Sequence, residues 1–256
     1  MPYIAVGTER IFYSYHAGAE PKAHAVILLH GAGGNHQFWG SAIRRIEGAD
    51  TYALDLPGHG RSGGTGRRSI AGYASFVVGF MGVLGLEQAV VAGHSMGGAT
   101  AMQMALEYPQ RVTGLVLVGT GARLRVLPVI LEGTLSNYED TIKLIGEYAY
   151  SPHTPAQLVR KGQRQMLKVA PRTVHDDFSA CNAFDIMERL GEIHCPSLVI
   201  CGTEDALTPP KYSTFLAQYI PESELKWIEG AGHMVLIEKP DFVAKAVESA
   251  LARWEL

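Results

Sequence analysis

Short apolar runs alternate along the chain with longer stretches whose apolar positions recur every three or four residues. The short runs are AVILL at 25–29, TYAL at 51–54, AVVAG at 89–93, VTGLVLVG at 112–119, SLVICG at 197–202 and LKWIEG at 225–230. Most are aliphatic or β-branched on both faces. That pattern predicts strands of a parallel sheet with helices covering both sides. Between them, 69–84 carries Ile70, Tyr73, Phe76, Val77, Phe80, Met81 and Leu84 on one helical face. A last helix is expected from Pro240, a good first-turn residue, with Phe242, Val243, Ala246, Val247, Ala250, Leu251 and Trp254 on its inward face. The segments 3–6 and 11–16 read as a hairpin at the sheet edge. Strand–helix alternation of this kind belongs to an α/β fold with crossover connections.

One segment breaks the rhythm. From about 123 to 187 no strand pattern is found. Amphipathic pieces take its place at 124–135, 138–150, 155–167 and 173–181, separated by signals such as Ser151-Pro152 and Ala170-Pro171. The chain therefore reads as a core domain, 1–122 and 188–256, with a helical cap, 123–187, inserted between two strands. These helices are short and need the core to sit on.

The stretch Gly93-His94-Ser95-Met96-Gly97 lies where the apolar run 89–93 gives way to a helical pattern. A G-x-S-x-G turn at that place holds a serine in a strained conformation with its hydroxyl exposed, and the glycines keep side chains out of the neighbouring backbone. Ligands of a parallel sheet bind beyond the carboxyl ends of its strands, where Ser95 stands. A serine hydroxyl needs a base to take its proton. His233, in EGAGHMVLIEKP, follows the last strand; Asp205, in VICGTEDALTPP, follows the strand before it. The order Ser, Asp, His is that of α/β-hydrolases. Glu204 adjoins Asp205 and reads as a solvated neighbour. His30, His59 and His94 read as architectural, and Asp55 as the residue holding the turn 57–62.

The chain resembles the α/β-hydrolase superfamily, as a serine carboxylesterase-like member with a cap. The blocks LLHGAGGNHQFW, LDLPGHGRSG, GHSMGG, GTEDALTPP and GAGHMVLIEKP carry the resemblance. It implies Ser95 as nucleophile, His233 as general base and acid, and Asp205 as the carboxylate that orients His233. It also implies an oxyanion hole of two backbone N–H groups, from Met96 and from Ala32, with Gly33 as the fallback. Serine at the nucleophile position argues against the dehalogenases and epoxide hydrolases that attack through aspartate. Met234 after His233 argues against the C–C hydrolases, which usually carry tryptophan there. HGAGGN lacks the proline typical of perhydrolases. The expectation is ester hydrolysis through an acyl-enzyme, on esters of small to medium size. The alternatives kept beside it are a slow-turnover small-molecule receptor, a thioesterase, a lactonase and the C–C hydrolase or perhydrolase just weighed. Expected substrate contacts are Leu124, Leu127, Ile130 and Leu131 of the cap, with Trp39 and Val235 of the core.

Composition narrows the classes without changing this picture. The 256 residues are 47% hydrophobic and 18% charged, with a formal net charge of −3 and no basic block, so neither nucleic acid nor an anionic membrane surface is expected as partner. No apolar run approaches the roughly 20 residues of a membrane span. No signal peptide is apparent, and Cys181, Cys195 and Cys201 have no metal-ligand spacing, so a reduced cytoplasm is the expected compartment. The histidines form no metal motif; neither metal nor cofactor is expected, and the protein is expected to act on a small-molecule ester as a monomer or dimer.

Overall fold

A computed structural model describes residues 2–18 and 24–254. Residues 1, 19–23 and 255–256 of the expected core segments lie outside the described residues. The strands, in chain order, are β1 (Tyr3–Val6), β2 (Glu9–His16), β3 (His24–Leu29), β4 (Ala49–Leu54), β5 (Ala89–His94), β6 (Val112–Val118), β7 (Ser197–Gly202) and β8 (Ser223–Ile228). They form one sheet in the order β1-β2-β4-β3-β5-β6-β7-β8. β1 and β2 pair antiparallel, β2 meets β4 antiparallel, and β4, β3, β5, β6, β7 and β8 run parallel. The expected hairpin is thus present, and it does form the edge.

The helices are α1 (Ile70–Leu84), α2 (Met96–Glu107), α3 (Pro128–Ser136), α4 (Tyr138–Ala149), α5 (Ala156–Met166), α6 (Pro171–Ala183), α7 (Pro210–Tyr219), α8 (Val235–Glu238) and α9 (Pro240–Leu251). Alternate residues of each central strand serve opposite faces of the sheet. Ile27, Leu29, Val91, Leu115, Leu117 and Val199 meet Tyr73, Val77 and Phe80 of α1, Met102 of α2 and Leu216 of α7. Val26, Leu28, Val90, Ala92, Val116 and Leu198 meet Val243, Val247 and Leu251 of α9. α1 begins where Ser69 accepts the Gly72 N–H and ends at Gly85, whose φ of 72° only glycine adopts freely. α9 ends at Leu251, so Trp254 lies beyond it and packs from a turn, its ring beneath Gly114. Phe242, expected inward, is exposed at the start of α9.

Between β6 and β7 the chain leaves the sheet for α3 to α6. An isolated bridge between Arg123 and Asp185, and the Ile186 N–H on the Ala122 carbonyl at 2.9 Å, close the base of this excursion. Ile142, Ile145, Met166, Val169 and Val174 form its own small core. A second cluster joins it to the sheet domain: Ala149 and Tyr150 pack on Phe38 and Met234.

Candidate active site

β5 is buried along its whole length, between β3 and β6. At its end the chain must reverse into α2, and Ser95 makes that turn at φ 53°, ψ −115°, the one non-glycine residue with positive φ among the described residues. The turn is this tight because neither glycine beside it has room for a side chain. A Cβ on Gly93 would stand 2.1 Å from the Gly97 carbonyl oxygen, and one on Gly97 would stand 2.1 Å from that of Leu29. The Ser95 N–H bonds the Val118 carbonyl at 2.9 Å, and the Thr120 hydroxyl donates to the Ser95 carbonyl at 2.8 Å. The backbone is thus held from β6 while the side chain remains partly accessible. Among the described residues the Ser95 hydroxyl has no hydrogen-bond partner. Catalytic hydrogen bonds are often loose before substrate arrives.

The loops after β7 and β8 bring Asp205 and His233 together. Asp205 Oδ2 accepts from His233 Nδ1 at 2.9 Å, with both side chains nearly out of solvent. The carboxylate is held on every side: Leu207 N–H and Thr208 N–H donate to Oδ1 at 2.9 and 2.8 Å, and the Thr208 hydroxyl donates to Oδ2 at 2.8 Å. Burial pushes the Asp205 carboxyl up, but the attraction of His233 and these hydrogen bonds outweigh it and hold it below the usual range. A carboxylate acceptor at Nδ1 favours the tautomer with its proton there and leaves a lone pair on Nε2. His94 ties this loop to the turn at Ser95: its Nε2 bonds the His233 carbonyl at 2.9 Å, and the two rings lie 4.8 Å apart. Burial and the neighbouring His233 lower the His94 pKa to about 3, so its ring is neutral and donates from Nε2.

Glu204 departs from the expectation of a solvated neighbour. It is half-buried and accepts the hydroxyl of Ser151, between α4 and α5. It fastens the inserted helices to the loop that carries Asp205.

Met96 is the first residue of α2, where N–H groups lack partners within the helix and the helix end is positive. Ala32 stands on the loop after β3, half-buried. The Gly33 N–H is already occupied, donating to Asp177 Oδ2 at 2.8 Å. That removes Gly33 as the fallback donor. Asp55 does hold its turn: Oδ2 accepts the Arg61 N–H at 2.8 Å, and the Ser62 hydroxyl donates to its carbonyl at 2.6 Å. It also takes His36, through the N–H at 2.7 Å and Nδ1 at 2.8 Å, a partnership that sequence did not suggest.

The residues expected to touch substrate scatter. Trp39 and Val235 are fully buried in the core against α9, on the other side of the sheet from α1 and α2. Leu124 belongs to the main core below the inserted helices. Leu127 is 67% exposed. Ile130 packs on the insertion's own core, and Leu131 is half-buried on α3. A side chain that sequence reasoning missed, Met166 at the end of α5, meets the loop after β3: a Cβ on Gly33 would come within 2.7 Å of its methyl carbon. Its amphipathic helix was legible, but the partner of its apolar face was not.

Comparison with known proteins agrees with this arrangement. Residues 24–240 match the family model described as the alpha/beta hydrolase fold. A solved structure of a thermophilic esterase superposes with a TM-score of 0.87 at 36% identity, covering 99% of this chain and 98% of that one. A protein of Azorhizobium caulinodans assigned as a carbamate hydrolase is 31% identical over 94% of both chains. The 2-hydroxy-6-oxo-6-phenylhexa-2,4-dienoate hydrolase of Comamonas testosteroni is 28% identical over 88% of this chain and 87% of its own. With its mostly parallel sheet, the sharp turn at Ser95 and the paired Asp205 and His233, the chain belongs to the α/β-hydrolase family.

Proposed function

We propose that the protein is a serine hydrolase of small to medium carboxylic esters, with Ser95 as nucleophile, His233 as base and acid, and Asp205 as the orienting carboxylate. The observation that carries this reading is the strained turn of Ser95 at the end of β5, tied through His94 to the loop of His233, whose Nδ1 is bound to a buried carboxylate. His233 Nε2 takes the hydroxyl proton as Ser95 Oγ bonds to the ester carbon. The carbonyl oxygen becomes an oxyanion and takes the N–H groups of Ala32 and Met96. Collapse breaks the ester C–O bond, and the alcohol leaves with the proton from His233. Water then attacks the acyl-enzyme, gives its proton to His233, and the acid departs as Ser95 recovers its hydrogen. Every step is a proton or acyl transfer, so the scheme needs no redox partner.

The 36% identity to an esterase over nearly the whole chain supports ester as the acyl donor. The carbamate hydrolase assignment of a 31% identical relative supports a second reading, attack on a carbamate carbonyl by the same groups. Met234, in place of the tryptophan usual after the histidine of C–C hydrolases, speaks against cleavage of a carbon–carbon bond. The test is a series of p-nitrophenyl esters from acetate to laurate, beside a p-nitrophenyl carbamate, on wild type and Ser95→Ala. Many turnovers with a preference for short chains, lost in Ser95→Ala, are expected. Activity that survives in Ser95→Ala removes Ser95 from the mechanism. Release of one equivalent followed by a stall would favour a receptor over an enzyme.

A further inference from the structure

Two carboxylates outside the triad are fully buried: Asp55, which holds its turn, and Asp177 of α6. Its Oδ2 accepts the Gly33 N–H and a ring nitrogen of His59, each at 2.8 Å, and its Oδ1 accepts the Tyr73 hydroxyl. The three donors come from the loop after β3, the turn after β4 and α1, all more than a hundred residues away in sequence. His59 meets the Pro57 carbonyl at its other nitrogen, at 3.0 Å. An imidazole that faces an oxygen at each nitrogen is favoured with a proton on both, which makes the cation the form this site selects. Burial opposes that charge, yet the Asp177 carboxylate overrides it and raises the His59 pKa. Such a pair gives little net stability over apolar packing of the same size, so its presence calls for another role.

The role follows from where Gly33 sits. The peptide unit joining Ala32 to Gly33 is rigid and planar. A bond that fixes the Gly33 N–H therefore fixes the plane beside Ala32. The same loop is tied at its other end by the Gly34 N–H on the Gly31 carbonyl, at 3.0 Å, and covered by Met166. Between these anchors the Ala32 N–H has its direction set. We infer that Asp177 is a positioning residue for the oxyanion hole, holding Gly33 so that the Ala32 N–H points at the developing oxyanion, with His59 and Tyr73 fixing the carboxylate. This rests on the serine-hydrolase reading. It also makes the inserted helices part of the catalytic apparatus, since the carboxylate comes from α6.

The experiment compares wild type, Asp177→Ala and Asp177→Asn with p-nitrophenyl acetate as substrate and an alkyl trifluoromethyl ketone as probe of the tetrahedral adduct. Loss of an oxyanion donor costs on the order of 10²–10³ in kcat, so a misdirected one should cost at least about tenfold. Asp177→Ala is expected to lower kcat by that factor with KM little changed, and to weaken the ketone by the same factor. Asp177→Asn keeps an oxygen for Gly33, and its smaller loss should again appear equally in kcat and ketone affinity. A folded Asp177→Ala with unchanged kcat overturns the inference. So does a loss confined to KM, or a fall in kcat that the ketone does not share in either variant. If Asp177→Ala does not fold, the matched losses in Asp177→Asn decide the question alone. Wild-type turnover that Ser95→Ala does not abolish is a failure of the underlying reading, separate from all of these.

Discussion

Asp205 and Glu204 are neighbours of like chemistry, and their surroundings give them opposite uses. Asp205 is enclosed by donors and aimed at His233; Glu204 reaches outward to Ser151. Replacing Asp205 by Asn keeps the shape and removes the charge. The amide presents a neutral group to Nδ1, so the ring loses the tautomer with a free Nε2 lone pair and the imidazolium loses its counter-charge. A fall in kcat of about 10³–10⁴-fold is expected, measured on the folded variant. A kcat within tenfold of wild type would assign the orienting role elsewhere. The choice of Asp205 over Glu204 was legible only through the resemblance to the α/β-hydrolases, whose pattern puts the acid at the second of the two; the donors that enclose Asp205 come from residues two and three ahead. The second partner of Asp55, His36, was not legible, because nothing local in sequence marks a contact across a gap of 19 residues.

At the scale of elements, the strands and helices followed the periodicity closely. The apolar runs of β5, β6 and β7 have no polar alternation to mislead, and α1 carries its cap at Ser69 and its stop at Gly85. What periodicity could not show was the partner of each apolar face. Trp39 and Val235 were read as pocket residues and are core, because a large side chain near a site in sequence can still point through the sheet's other face. The inserted helices were read as a cover; the structure shows them anchored to the loops after β7 and β8. Glu238 at the end of α8 accepts the Ser151 N–H at 2.8 Å and the Thr154 hydroxyl on one oxygen, and the Gly232 N–H at 2.8 Å on the other. The Met234 N–H meets the Ala149 carbonyl at 2.9 Å. These bonds bracket His233. Glu238→Ala removes charged acceptors worth about 1.5–3 kcal/mol each in favourable cases; half-buried here, the whole tie is expected to contribute about 2 kcal/mol. A drop of roughly 4–8 °C in melting temperature should follow. An unchanged melting temperature would show that α8 and the segment between α4 and α5 are held by packing alone.

Across the whole molecule, buried histidines set the response of stability to pH. His30 faces His59, Asp55 and Asp177, and burial with the His59 charge lowers its pKa to about 4. His94 faces His233, Asp205 and His30, and stands at about 3. Both are neutral in the fold and bind protons once unfolded below about 6.5, so stability falls as pH drops from there. While both differ fully between the two states, the slope is about 2.7 kcal/mol per pH unit. His59, facing Asp177, Asp55 and His30, has the opposite sign: its pKa is raised, so its contribution is complete below about 6.5 and is lost as pH rises through the folded value. Asp55 and Asp205 are lowered against the pull of burial by His36 and His233, and their contribution disappears only at more acid pH, as their own carboxyls protonate. Urea midpoints are therefore expected to peak near neutrality, fall steeply toward pH 4.5 and fall more gently above neutrality. A midpoint flat between pH 4.5 and 6.5 would contradict the neutral state of His30 and His94.

The most direct test of the serine-hydrolase account is to trap the acyl group. Wild-type protein, quenched in acid within the first turnover of p-nitrophenyl acetate, is digested and its peptides weighed. One acetyl group on the peptide carrying Ser95, absent from Ser95→Ala, is the predicted result. A protein that turns over many equivalents with no acetyl on that peptide, or with the acetyl on another residue, would contradict it.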